Sequence, residues 1–168
     1  MIAAAAELLA AIARPSYTPA RRDVPGLIAL LVEADVEAEH GVALRRALAR
    51  VEGPVVTAAV LAALPQADDA AGARLVPALV QAAITEATPV ARAALIAALS
   101  DQRPRVRRAA TTALGKVGGE DVAAALCARW DRDDLDPAER RAAAAALGKV
   151  GGDEARRRLA GAEAGDDA

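Results

Sequence analysis

Apolar and polar residues follow one another along this chain with helical spacing, and proline and glycine cut the pattern at short intervals. The clearest block runs from Pro104 to Val117. There Val106, Ala109, Ala110, Ala113, Leu114 and Val117 lie on an i, i+3, i+4, i+7 stripe, and Arg105 and Arg108 fall outside it. Such a stripe predicts a helix with one face in a core. The same reading gives ten helices. Residues 1–14 form the first, stopped by Pro15, since Pro15 and Pro19 remove donors and push their predecessors to extended geometry. Asp23 is expected to cap a second helix, with Pro25 in its first turn. A third covers about residues 37–51, with Gly53 as a left-handed stop, and Pro54 opens a fourth that reaches Leu64. The fifth, about 68–84, should kink at Pro77. Pro89, Pro104 and Pro137 open the sixth, seventh and ninth, the eighth ends near Trp130, and the tenth covers about 153–161. Residues 163–168 read as an acidic tail that frays.

These helices repeat. Ala113-Leu114-Gly115-Lys116-Val117-Gly118-Gly119 recurs as Ala146-Leu147-Gly148-Lys149-Val150-Gly151-Gly152, so the step from Gly115 to Gly148 is 33 residues. Asp101 maps onto Asp134, Pro104 onto Pro137, and Arg107-Arg108 onto Arg140-Arg141. Two periods earlier, Ala47-Leu48-Ala49-Arg50-Val51-Glu52-Gly53 reads as a diverged copy. A fixed period between 20 and 50 residues marks a stacked array, because one short helix pair cannot bury both of its apolar sides. The expected fold is all-α: a right-handed α-solenoid of about five antiparallel helix pairs in a single domain over residues 1–162. The pairs fall near 1–35, 36–65, 66–100, 101–133 and 134–162.

Composition sharpens that picture. Of 168 residues 49 are alanine, none is phenylalanine, and Tyr17 and Trp130 are the only aromatics. Side chains this small fill a core only if helices approach closely. The unit Asp101-Gln102-Arg103-Pro104-Arg105-Val106-Arg107 through Gly118 resembles a HEAT-like repeat of the short bacterial type, the kind also found in phycocyanobilin lyase-related proteins. The second copy, Asp134 to Gly151, departs from it at Glu139, where the pattern has valine. The resemblance implies a protein-binding scaffold. It also implies an inter-repeat ladder in which Asp101 bonds Arg107 and Asp134 bonds Arg140.

Candidate chemistry is sparse. His40, the only histidine, reads as an exposed polar residue near a helix start, and Cys127 reads as a buried thiol with no histidine near it in sequence. The glycine-rich, lysine-bearing motif is no phosphate loop, since it ends a helix and no Ser or Thr follows the lysine. Asp131, Asp133, Asp134 and Asp136 cluster, but Ala142 stands where a calcium loop needs its last glutamate, so helix capping is the reading. No catalytic, metal-binding or cofactor-binding set emerges, and no enzymatic activity is expected. Net charge is −2, which argues against bulk affinity for nucleic acid. No apolar stretch is long enough to span a bilayer, so no membrane partner is expected and a cytoplasmic location follows by default.

Two surfaces remain as candidates for binding. Residues 54–64 carry no charge and the Pro89 helix holds only Arg92, so Val55, Val56, Val60, Leu61, Ile96 and Leu99 form a candidate groove for a protein or peptide. Arg103, Arg105, Arg108 and Arg141 could stack as a basic ridge that follows a phosphate backbone. The expected function is a non-enzymatic scaffold or adaptor for a protein partner. The alternatives are a nucleic-acid-binding solenoid using the ridge, and an accessory repeat module of a larger enzyme with the chain cut at Ala168.

Overall fold

The computed structural model describes residues 2–14, 16–33, 38–85 and 89–165. Among them are helices α1 (Ile2–Ile12), α2 (Val24–Val32), α3 (Ala38–Leu48), α4 (Gly53–Ala63), α5 (Asp69–Leu75) and α6 (Val80–Ile84). The rest of the chain gives α7 (Pro89–Ala97), α8 (Pro104–Val117), α9 (Glu120–Trp130), α10 (Pro137–Val150) and α11 (Asp153–Gly165). No strand occurs among the described residues, and the molecule is an all-α solenoid of stacked helices.

Local chemistry sets most helix ends. Proline sits in the first turn of α2, α4, α8 and α10, where its missing N–H has no helical partner to lose. Asp136 caps α10 by accepting from the Ala138 and Glu139 N–H groups at 2.7 and 2.8 Å. Helices α8 and α10 end alike. The N–H groups of Gly118 and Gly151 return to the Leu114 and Leu147 carbonyls at 3.0 Å, with φ of 69° and 74°. Only glycine takes that backbone without strain, so the repeated motif is a joint.

Several local expectations are corrected. Gly53 is not a left-handed stop: it is the first residue of α4, and the chain turns at Glu52 with φ −55° and ψ 128°. Asp23 does not cap α2. Its carboxylate accepts from the Ala20 N–H at 2.8 Å and the Tyr17 hydroxyl at 2.9 Å, closing a 3₁₀ turn just before that helix. Pro77 does more than kink a helix, because its absent N–H leaves a 3₁₀ segment, Val76–Leu79, between α5 and α6. At the C-terminus α11 continues to Gly165, through residues expected to fray, and residues 166–168 lie outside the described residues.

Helices α2, α5, α8 and α10 pack in that order as one layer. Behind them α4 packs on α7, and α9 on α11. The layer starts at α2 and not α3, because α2 is apolar nearly all round. Its Val24, Leu27, Ile28, Leu30 and Leu31 are buried and need cover on both sides. Arg74 locks this arrangement by donating to the Leu31 and Val32 carbonyls, both at 2.8 Å, at the α2 C-terminus. The core is a column of leucines, among them Leu27, Leu31, Leu75, Leu95, Leu114, Leu126 and Leu147, interleaved with alanine. Helix approach is as close as that composition requires. A Cβ on Gly115 would stand 3.0 Å from the Ala146 Cα.

Candidate functional site

The uncharged groove is corrected first. Val56, Val60 and Leu99 are buried, at 2%, 0% and 4% exposure, and Val55, Leu61 and Ile96 are half-buried. Helix α4 has no charge because α2, α6, α7 and the Val76–Leu79 turn cover it. Its apolar character is that of a covered helix and not of a docking surface. Ile96 and Leu99 instead border a recess of about 290 Å³ shared with Ala125, Arg129 and Arg132, away from the α4 valines.

The inter-repeat ladder is also rearranged. The Asp101 carboxylate pairs with Arg103, Oδ2 to Nη2 at 2.7 Å, and does not take the Arg107 guanidinium. Arg103 then reaches back to donate to the Leu64 and Ala67 carbonyls at 3.0 and 2.7 Å. These carbonyls open and follow the 3₁₀ turn Leu64–Gln66 that ends α4, where helix termini leave acceptors without partners. Arg103 is thus a structural tie and leaves the basic ridge. Its hydrogen bond holds the Asp101 carboxyl below its ordinary pKa, against the opposing effect of burial.

Arg107 bonds the Asp101 and Gln102 backbone carbonyls at 2.9 and 3.0 Å, and its Nε donates to Glu139 Oε1 at 2.6 Å. Glu139, 3% exposed, also receives Arg129 Nη2 at 3.3 Å, and Arg129 Nη1 meets Asp134 Oδ1 at 2.8 Å. Burial pushes the Glu139 carboxyl up, but the Arg107 hydrogen bond and charge, the Asp136 N–H and Arg129 outweigh it and leave the pKa low. Arg140 does not pair with Asp134. Its guanidinium lies 5.1 Å from the Trp130 ring centroid, a cation–π contact. Three repeat elements, α8, α9 and α10, are therefore pinned together at one buried carboxylate.

The remaining candidates resolve simply. Asp131 is taken by Arg158, Asp134 by Arg129 and Arg132, and Asp136 caps α10. Among the described residues no group of His, Cys, Asp and Glu could hold a metal ion. His40 is half-buried in α3 instead of exposed. Cys127 is buried, and that burial pushes its thiol pKa up, away from a reactive thiolate.

A trough of about 480 Å³ lies open between α5–α6 and α8. Its α5–α6 wall is Ala70, Ala73, Arg74, Pro77 and Val80, and Ala142 of α10 closes the far side. Its α8 wall carries Arg105, Arg108, Thr112 and Lys116, at helical spacings of three and four. No carboxylate lines it. Asp69 stands at the mouth, where its Oδ1 accepts the Arg105 N–H at 2.9 Å and its Oδ2 is 3.9 Å from Arg105 Nε. One period on, Arg141 and Lys149 repeat Arg108 and Lys116 on α10, and both are exposed. Of the expected ridge, Arg105, Arg108 and Arg141 thus stay at the surface. Lys116 and Lys149 were missing from it. Lys116 lies four residues beyond Thr112 and eight beyond Arg108, and Lys149 repeats it at the 33-residue step, which was the signal that could have added them.

Residues 57–139 match the family model for HEAT repeats. The match runs from α4 into the first turn of α10 and so spans both walls of the trough. It is to the repeat itself and does not extend to a kinship with phycocyanobilin lyase-related proteins. No curated protein matches the chain.

Proposed function

This chain is a HEAT-like repeat protein, and from that premise we propose that it is a non-enzymatic scaffold that holds a protein partner against its α5–α8–α10 layer. HEAT repeats are commonly protein-interaction scaffolds and are generally non-catalytic. No helix among the described residues is long and apolar enough to cross a membrane. The observation that carries the reading is the open trough between α5–α6 and α8, about 480 Å³ in volume. Its walls are not free to collapse. Arg74 ties α5 to α2, Arg103 ties the start of α8 to the end of α4, and Glu139 ties α8 and α9 to α10. A surface already held in shape loses little conformational entropy on binding, which favours a specific complex.

The test is affinity capture from a native extract, comparing the wild-type chain with Arg108→Glu/Lys116→Glu. Neither side chain makes an ion pair among the described residues, so the variant should keep its thermal melt. The reading predicts a protein retained by the wild type and lost by the variant. Retention of nucleic acid alone, or capture indifferent to the change, would overturn it.

A further inference from the structure

We propose that the trough receives an acidic amphipathic helix of the partner, with a carboxylate stripe against α8 and a small apolar stripe against α5–α6. This rests on the scaffold reading above and names the chemistry of the segment that it holds. Four observations carry it.

The trough is two-sided. One wall is charged by Arg105, Arg108 and Lys116, and the other is mainly apolar, from Ala70, Ala73, Pro77 and Val80, since Arg74 on it spends its guanidinium on the Leu31 and Val32 carbonyls. A ligand that satisfies both walls must itself present a charged and an apolar stripe side by side, as an amphipathic helix does. The spacing agrees. Arg105, Arg108 and Lys116 lie along one helix, and the span from Arg105 to Lys116 is about 16 Å at 1.5 Å per residue. That is the length of three turns, so carboxylates three to four residues apart on a facing helix can meet these cations in sequence.

The charge is also unspent. Arg108 and Lys116 form no ion pair among the described residues, although Asp136 at the start of α10 feels the Arg108 charge. Arg105 shares Asp69 only at 3.9 Å. Several of the acids that bring the whole chain to −2 are engaged elsewhere, as in Asp101 with Arg103 and Asp131 with Arg158. Finally, the chemistry disfavours a phosphate backbone. A nucleic acid gains nothing from an alanine wall, and no aromatic side chain lines the trough to stack a base. Arg141 and Lys149 prolong the cationic wall by one repeat, so a longer acidic segment can continue across α10.

The experiment is fluorescence anisotropy with the whole chain and a labelled synthetic peptide of roughly 18 residues, helical at 1.5 Å per residue. It carries Glu on one stripe and Ala and Leu on the adjacent one. The comparison probes are the same composition scrambled around the helix, the Lys-for-Glu peptide, and single- and double-stranded DNA of similar length. The acidic striped peptide should bind, and raised salt should weaken it. Arg108→Glu/Lys116→Glu should weaken it about tenfold or more with an unchanged melt, and Arg141→Glu should weaken it less. Should the charge reversals unfold the chain, the neutral pair Arg108→Gln/Lys116→Gln serves in their place. Equal binding of the scrambled peptide, tighter binding of DNA, or indifference to these substitutions would overturn the proposal. If the peptide fails while protein capture persists and is lost in the variant, only the acidic-helix assignment falls. If capture fails as well, the scaffold reading falls with it.

Discussion

Val106 and Glu139 stand at the same place in two copies of one repeat, 33 residues apart, and both are buried, at 0% and 3% exposure. Val106 fills its site by packing. Glu139 fills the equivalent site with a charge, and two arginines, Arg107 from α8 and Arg129 from α9, converge on it. The neighbouring glycines diverge in the same way. Gly115 lies against Ala146, with its missing Cβ only 3.0 Å from that residue's Cα, while Gly148 has nothing within 4 Å of the corresponding point. Near-identical sequences thus meet opposite environments, since α8 has a helix on either side in its layer and no described helix covers α10 beyond Gly148. In a repeat array position along the stack, as much as residue identity, decides what a side chain does.

The comparison is broken most sharply at Glu139. Glu139→Gln leaves Arg107 largely buried without a counter-charge and Arg129 with Asp134 alone, and should cost about 3–5 kcal/mol in urea unfolding. Glu139→Val alone should cost a similar amount despite restoring the repeat pattern. With Arg107→Met and Arg129→Leu added, most of that stability should return, because an apolar cluster replaces the ion network without leaving a charge alone. If Glu139→Gln is neutral, the network does not hold α8, α9 and α10 together.

The glycines should respond with opposite signs. Gly115→Ala forces backbone apart at Ala146 and should destabilise by about 1–3 kcal/mol.

Acid offers a subtler probe. Glu139 and Asp101 have folded pKa values below their ordinary ones, so the unfolded chain takes up protons first as pH falls. Their stabilisation is complete above about pH 4.5 and is lost as pH drops through the depressed folded values. Thermal melts across that range should fall steeply for the wild type and less steeply for Glu139→Gln.

The smallest expected effect is a gain. Gly148→Ala adds a methyl group to open space within a helix and should stabilise by about 0.5–1 kcal/mol. Equal effects at Gly115 and Gly148 would mean that the two copies are packed alike.

The sequence by itself determined most of the helices and the stacking of α8 on α10. Apolar spacing along 104–117, prolines in first turns, and the Gly118 and Gly151 joints are local signals, set by backbone sterics and by the need to bury one face. The 33-residue step determined that α8 and α10 lie side by side. Tertiary structure decided what local rules cannot reach. A helix without charges reads alike whether it is covered or bare, and only the packing of α2, α6 and α7 around α4 removed Val56 and Val60 from the surface. Salt-bridge partners are equally non-local: Asp101 chose Arg103 over Arg107 because Arg107 is pulled toward Glu139, on the next repeat. The basic trough was half visible, as a row of arginines on α8. Its other half, the wall of Ala70, Ala73, Pro77 and Val80 on α5–α6, required two helices to be brought together, which distance in sequence does not specify.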